Sequence, residues 1–217
     1  MVSPSLKGRG QGMGDKSMTT ITTIRALVRR DLKDEDNANY RWVDAEIDRA
    51  IDKAVLEYSE YCPLQVMNVL GTVDDDNTVD ISTLTDRIDV LRVEHPVIDQ
   101  PYQSHRFSVW LDLLTFLDGY FGDGTDCNVY WLKKHSIGAS SSTVPTAHEH
   151  IIALGAAAFA ISSQAQYSVT QTFGGQKVSQ DYIVWAKTTF AQFYATLDRI
   201  KGYNPKKLKT GGLVPEE

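Results

Sequence analysis

The residues that could carry out chemistry are few, and their spacing does not favour a metal site. His148 and His150 are two residues apart. On a helix this spacing points the two imidazoles about 200° apart, so they cannot share one metal ion. Residues 74–80 imitate the start of a calcium loop but lack its glycine and glutamate. Residues 119–126 could hold a hard cation, although the end of a β-hairpin explains their glycines and acids better.

Nucleophiles also lack supporting motifs. The sequence has no glycine-rich phosphate loop, dinucleotide-binding fingerprint or nucleophile elbow. Cys62 follows an apolar helical stripe and is interpreted as a core thiol; it and Cys127 could form one disulfide but are expected to stay free. The remaining histidines are expected in loops or at sheet edges: His95, His105 and His135. We therefore predict no enzyme activity, no catalytic residue, no metal and no cofactor.

Composition excludes several classes of protein. The chain has 217 residues, 42% of them hydrophobic and 23% charged, which is ordinary for a globular protein with a real core. No apolar run is long enough for a membrane span, and we expect no membrane partner. The glycine-rich first residues lack the apolar segment of a secretion signal. Membrane, collagen-like, disulfide-scaffold and wholly disordered classes are excluded.

Charge is unevenly distributed along the chain. The net charge is −6, and residues 31–60 alone, with ten acidic and four basic residues, reach the same value. Residues 199–209 instead hold five basic residues and no acid. One reading is a solvated helix face followed by a soluble tail. The other is an assembly subunit whose acidic surface repels a phosphate backbone and whose cationic tail docks on a partner.

Hydrophobic periodicity predicts helices, then strands, then helices. Helical stripes begin near Thr19, Trp42, Pro145 and Val178, and the middle of the chain instead shows five short β-prone runs separated by turns. The predicted fold class is α+β: an α-helical bundle of about four helices with a small antiparallel β-sheet inserted between helices two and three. The predicted organisation has five parts. Residues 1–17 form a flexible N-terminal arm, residues 18–63 the first part of the bundle and residues 64–137 the β insertion. Residues 138–201 form the second part of the bundle, and residues 202–217 an extended C-terminal tail.

Three of these helices resemble those of a known protein family. Residues 41–55, which open with Arg41, Trp42, Val43 and Asp44, resemble helix two of tailed-phage head–tail adaptor proteins, also called head-completion or connector proteins. The run at 150–160 is similar to their alanine-rich third helix, and the aromatic helix at 182–200 fits the last one. The segments at 78–84 and 88–94 resemble the β insertion of the longer members.

The resemblance implies a structural role. Such adaptors form a twelve-fold ring beneath the portal protein, extend the DNA channel and offer a platform for the next neck or tail protein. They work in the virion neck after assembly in the host cytoplasm, and genomic DNA passes through the lumen without specific binding. In this family the C-terminal segment commonly docks on the portal, which implies six docking residues here: Tyr203, Pro205, Lys206, Lys207, Leu208 and Leu213.

Charge then suggests which residues line the channel, and other functions stay open. The predicted channel-lining residues are Asp34, Glu35, Asp36 and Glu57. The alternatives are a tail-completion protein that binds the tail tube, and a DNA-associated enzyme or regulator, suggested by residues 119–126 and the basic tail.

Overall fold

The computed structural model describes residues 20–95, 97, 103–170 and 176–201. The helices are α1 (Ile21–Leu32), α2 (Asp44–Tyr61), α3 (Glu149–Thr170) and α4 (Gln176–Lys201), and a 3-10 turn (Thr146–His148) precedes α3. The strands are β1 (Leu64–Gly71), β2 (Thr78–Asp80), β3 (Arg87–His95), β4 (Gln103–His105), β5 (Phe107–Trp110), β6 (Leu113–Phe116) and β7 (Asp126–Lys133). The predicted arm at 1–17 and tail at 202–217 lie outside the described residues.

The first two helices begin at identifiable caps. The Thr20 hydroxyl accepts a hydrogen bond from the backbone N–H of Thr23 at 3.3 Å, and the Glu46 carboxylate accepts one from the N–H of Val43 at 3.1 Å. Each bond satisfies a backbone donor that the first turn leaves without a partner. The apolar stripes of both helices then face one common core.

Helix α3 is the centre of the helical body. It packs against α1, α2 and α4, and its alanines at 153, 156, 157, 158 and 160 are buried. Small side chains allow neighbouring backbones to approach closely. At Gly155 a β-carbon would lie only 2.6 Å from Cε2 of the fully buried Phe193 on α4. The small residues of α3 thus lie at the centre of the helical body.

The strands form two antiparallel sheets. The larger has the order β1-β7-β3-β4 and the smaller β2-β6-β5. Their inner faces share a second hydrophobic core that is separate from the helical one. From the larger sheet it takes Val93, Val129 and Trp131, and from the smaller Leu114 and Phe116.

The prediction of one small inserted sheet in a helical bundle is therefore wrong. In the part of the chain that the structure describes, seven strands in two sheets with a core of their own take the place of the five predicted strands of one sheet. The missing information was strand pairing, because alternation is a local signal whereas pairing joins distant segments. β1 pairs along its whole length with β7, from Leu64 opposite Lys133 to Gly71 opposite Asp126. β4 has three residues, too few to show a period.

Short backbone links join the helical body to the sheets. The Ser59 hydroxyl accepts a hydrogen bond from the backbone N–H of His135 at 2.9 Å. The N–H of Ile21 at the start of α1 donates to the carbonyl of Gly138 at 3.0 Å. The chain passes from α2 to β1 through Cys62 and Pro63. The sheets are thus anchored near the C-terminal end of α2 and the start of α1.

Candidate functional site

The first predicted channel-lining residue, Asp34, is a structural residue of the subunit. Its side chain is 6% exposed and lies 2.7 Å from Nη1 of Arg29, which is equally buried. Its two carboxylate oxygens also accept hydrogen bonds from the backbone N–H groups of Arg41 at 2.8 Å and Trp42 at 3.3 Å. Asp34 therefore ties α1 to the start of α2 and presents no charge to a channel.

Glu35 and Asp36 are exposed in the loop between α1 and α2. Glu35 lies 4.0 Å from Nε of Arg30, a distance at which two exposed charges interact weakly. Asp36 accepts hydrogen bonds from the Asn39 side chain and the Ala38 backbone, and these bonds lower its pKa. Both carboxylates therefore carry their charge at the surface.

Glu57 lies apart from these two residues. It is half-buried on α2, one turn before the end of the helix, and it faces Tyr194 of α4. Burial, and then the nearby Glu57 carboxylate, raise the pKa of Tyr194. Between the start of α2 and Glu57 the helix rises about 20 Å. The three candidates other than the buried Asp34 thus lie at two places on the subunit. Glu35 and Asp36 lie in the loop between α1 and α2, and Glu57 lies near the end of α2.

Arginines of α1 neutralise part of the acidic segment. Arg25 binds Asp48 through two hydrogen bonds, of 3.0 and 2.8 Å, and Nη1 of Arg25 lies 3.2 Å from Asp44. Nη2 of Arg29 donates to Asp44 at 2.6 Å, and this bond is the main reason why the pKa of Asp44 is lowered. The field of residues 31–60 is therefore weaker than their sequence charge indicates.

The predicted docking residues of the C-terminal tail lie outside the described residues: Tyr203, Pro205, Lys206, Lys207, Leu208 and Leu213. The described chain ends in the last turn of α4, which contains Arg199 and Lys201. Nζ of Lys201 lies 5.0 Å from the ring centroid of Tyr61 on α2. This cation–π contact holds the last turn of α4 against α2.

A groove between α2 and α3 was missed by sequence reasoning. This α2–α3 groove has a volume of about 370 Å³, and its lining includes Trp42, Arg49, Lys53, Phe159, Ser163 and Tyr167. Nζ of Lys53 lies 5.7 Å from the Phe159 ring. Cationic and aromatic side chains thus line one depression. The sequence patterns did not predict this groove, because the residues of its two walls are more than a hundred positions apart in the chain.

One polar atom of the groove wall lacks a partner. The Trp42 indole N–H is buried and makes no hydrogen bond within the described part of the chain. A buried donor without an acceptor is unfavourable. Among other lining residues, the Arg41 guanidinium donates to the Tyr182 hydroxyl of α4 at 2.5 Å.

The turn between β5 and β6 was also missed. Its two turn residues are Leu111 and Asp112, since Trp110 pairs directly with Leu113. Trp110 and Leu111 are 79% and 78% exposed, the highest values for large hydrophobic residues in the described ranges. We call Trp110, Leu111 and Asp112 the hairpin tip. The sequence favoured a strand there, since the turn contains neither glycine nor proline and Asp112 is its single favoured turn residue.

Two histidines expected to be scattered lie side by side in the sheets. The ring centroids of His95 and His105 are 6.2 Å apart, with Tyr120 packed against both. Nε2 of His95 lies 2.6 Å from the Thr125 hydroxyl, which in turn donates to Asp123 at 2.7 Å. Burial, the largest cause, raises the pKa of Tyr120 to about 12.

This arrangement accounts for the segment at 119–126 that resembled a cation loop. Its Asp123 carboxylate binds Thr125 within the loop, and its Gly119 and Gly124 adopt positive φ. Across the described ranges, no group of three or more histidine, cysteine, aspartate or glutamate residues could hold a metal ion. The loop is thus a turn fastened to the end of β3 by His95.

A second histidine pair lies where the helical body meets the sheets. Tyr58 and Nδ1 of His148 share a hydrogen bond of 2.6 Å, and the ring of His135 packs edge-on against Tyr58. Burial lowers the pKa of both histidines and raises that of Tyr58. A pocket of about 490 Å³ that Cys62 also lines opens beside these residues.

Cys62 and Cys127 are both free, and burial raises both thiol pKa values.

Neither comparison with known proteins finds a relative. No family model matches the chain, and no curated protein matches it significantly. None of the helices that the structure describes is long and apolar enough to span a membrane.

Proposed function

We propose that this chain is a structural head–tail adaptor of a tailed bacteriophage. Twelve copies form a ring beneath the portal protein, extend the DNA channel and provide the platform for the next neck or tail protein. The ring is assembled in the host cytoplasm and remains in the virion neck. Its work is mechanical, and it involves no catalytic step and no cofactor.

The observation that carries this proposal is the packing of the helices with the family-like sequence. The stripe of α2, with Ile47, Ile51 and Val55, and the alanine-rich face of α3 enter one core. The aromatic α4 packs on α3 from another side. The segments that carry the resemblance therefore make the central contacts of one helical body.

Exposed acids support passage of DNA without binding. Of the four channel-lining candidates, Asp34 is excluded because Arg29 neutralises it within the subunit. Glu35 and Asp36 carry exposed charge, and Glu57 is half-buried. Carboxylates repel a phosphate backbone, so DNA in a lumen lined by them slides without sticking.

Charge reversal tests this part of the proposal. A Glu35→Lys/Asp36→Lys phage should eject or package DNA more slowly, because the lysines attract the phosphates. The matched control is Asp52→Lys, a reversal at an exposed acid in the middle of α2. Unchanged DNA ejection and phage yield in the double variant would remove Glu35 and Asp36 from the channel.

The C-terminal segment supplies the docking element of the proposal. Residues 202–217 dock on the portal through the six residues Tyr203, Pro205, Lys206, Lys207, Leu208 and Leu213. An extended segment that becomes ordered on a partner adds affinity at every copy of a ring. A chain that ends at Lys201 should therefore lose portal binding in a pull-down assay while keeping its helical circular dichroism spectrum.

Electron microscopy of the purified chain mixed with the portal of its phage tests the whole proposal. We expect two stacked coaxial rings. A stable monomer that ignores the portal would contradict it. Cross-linking in intact virions separates the adaptor from a tail-completion protein, because the latter would cross-link to the tail tube. Portal and capsid genes directly upstream of this gene would be an independent sign of the same function.

A further inference from the structure

The hairpin tip exposes apolar surface that the subunit itself does not use. Trp110 and Leu111 are adjacent, both almost fully exposed, and lie at the end of the smaller sheet. Single exposed hydrophobic residues need no explanation, but two large ones together at a protruding turn are typical of a contact surface.

The tip is held rigidly in an unfavourable backbone conformation. Leu111 has φ +53°, a left-handed value that leucine rarely adopts. The Arg87 guanidinium fixes the turn by donating to the carbonyl of Leu111 at 2.7 Å, to the Asp112 carboxylate at 3.1 Å and to the carbonyl of Ile81 at 2.9 Å. A strained turn that surrounding contacts hold in place indicates a pre-organised binding element.

The charge beside the tip restricts the partner. The carboxylates of Asp112 and Asp80 are exposed, and Asp80 pairs with Leu113 next to the turn. Acidic groups at this position disfavour an anionic lipid surface. Because Arg87 already pairs with Asp112 at 3.1 Å, Asp80 leaves the tip with one unbalanced negative charge. A partner surface that offers aromatic or aliphatic contacts together with positive charge therefore suits the tip.

The α2–α3 groove of the same chain has these properties. Phe159 and Tyr167 provide aromatic surface, and Arg49 and Lys53 provide positive charge beside it, which outweighs the single carboxylate of Glu46 in the same lining. The tip of the same subunit is exposed and does not fill the groove. A second copy can therefore supply the tip, and two different surfaces on one chain make a head-to-tail contact of the kind that closes rings.

We propose that the hairpin tip of one copy inserts into the α2–α3 groove of the next copy. The Trp110 ring stacks against the cationic side chains of the groove, Arg49 and Lys53. Leu111 packs on Phe159, and the Asp112 carboxylate faces Arg49. This inference deepens the function proposed above and rests on its ring assembly, because it names the two surfaces that join neighbouring subunits.

Sedimentation velocity of the full chain over a range of concentrations tests this contact. The wild-type chain should self-associate, and Leu111→Gly should weaken the association about tenfold or more, the loss typical of a buried interface anchor. Glycine tolerates positive φ, so this variant should keep or raise its thermal midpoint. If Leu111 contributed only to the stability of the fold, Leu111→Gly would not weaken self-association while leaving the thermal midpoint unchanged or raised. The control is Val184→Ser, at a residue that is 63% exposed on α4, which should associate like the wild type.

A mixing experiment tests which surfaces meet. Ser163 is exposed and lines the groove, so Ser163→Trp fills the groove without disturbing the core. Trp110→Ser/Leu111→Gly and Ser163→Trp should each remain monomeric alone. Mixed in equal amounts, they should form one-to-one dimers and nothing larger, because only one intact tip and one intact groove remain.

The outcomes separate this inference from the proposed function. A wild-type chain that stays monomeric at every concentration overturns the tip–groove contact, as do oligomers that survive in the tip and groove variants. Portal-bound rings that persist in those variants also overturn it and leave the adaptor function standing. If the wild-type chain does not bind portal but the tip and groove variants form one-to-one dimers when mixed, the adaptor function is overturned and the tip–groove contact stands.

Discussion

At the scale of single residues, the contact with the clearest energetic consequence is the buried pair of Arg29 and Asp34. Both side chains are more than nine-tenths buried, and the arginine also reaches Asp44 and the carbonyl of Trp42. The Tyr40 ring covers the guanidinium at 3.4 Å from its centroid. A charge buried in this way is tolerated only while its partners remain.

Removing one partner should therefore destabilise the fold. We expect Asp34→Asn to lower the free energy of unfolding by about 3 kcal/mol, because Arg29 keeps its charge without the buried carboxylate. Urea unfolding measures this. Asp36→Asn, at an exposed carboxylate two residues away, is the matched control and should unfold almost like the wild type. Equal midpoints for the two variants would mean that the pair contributes little.

The histidines at the junction should make stability depend on pH. Burial lowers the pKa of His148 in the folded chain, so the unfolded chain takes up the proton first as pH falls. The free energy of unfolding should therefore decrease below about pH 6.5. In His148→Gln this decrease should be smaller, while His150→Gln, which removes only the lesser cause of the lowered pKa of His148, should change it much less. Urea unfolding midpoints measured between about pH 7 and 5 test this prediction. If the midpoints of both variants depend on pH in the same way, the pH dependence does not come from His148.

At the scale of elements, the contact between α3 and α4 depends on a missing side chain. Phe193 of α4 occupies the space in which a β-carbon of residue 155 would lie. Elsewhere along the same interface, Phe159 meets Phe190 edge-on with ring centroids 5.0 Å apart. Aromatic residues from α4 thus fill the space that the small residues of α3 leave.

Filling this space should separate the two helices. We expect Gly155→Val to lower the free energy of unfolding by about 2 kcal/mol, since overpacking outweighs the gain from removing a helical glycine. Gln166→Val, at an exposed position of α3, is the control and should have a small effect. Adding Phe193→Leu should recover part of the loss in a double-mutant cycle. Additive effects of Gly155→Val and Phe193→Leu would show that the two positions do not compete for space.

At the scale of the whole molecule, two hydrophobic cores are joined by a narrow junction. Among the residues that the structure describes, no buried residue belongs to both the helical core and the sheet core. Hydrogen bonds such as those from His135 to Ser59 and from Ile21 to Gly138 connect them. Separate cores favour separate cooperative units of unfolding.

Hydrogen exchange should reveal these units. Leu114→Ala removes a fully buried side chain of the sheet core and should destabilise the sheets by about 2–5 kcal/mol. The slowest amides of β3 and β7 should then exchange faster, while those of α2 and α3 keep their rates. Ile152→Ala in the helical core is the reciprocal control. An equal loss of protection in both bodies would show that they unfold as one unit.

The sequence predicted local features well because their signals are local. The stripes of Ile24, Val28 and Leu32 and of Ile47, Ile51 and Val55 are buried as helical periodicity requires. Charge patterning was less informative. Asp34 looked like a surface acid within a run of acids, but its carboxylate is neutralised by Arg29, and no rule of spacing distinguishes it from Asp36.

By itself the sequence determined where the helices lie and that the middle of the chain is made of strands, because hydrophobic periodicity acts over a few residues. Only the tertiary structure decided that the strands form two sheets, that Asp34 is buried, that His95 and His105 are neighbours, and that a groove and an exposed tip exist. Each of these depends on which distant segments pack together, and that choice is made by the summed burial of the whole chain.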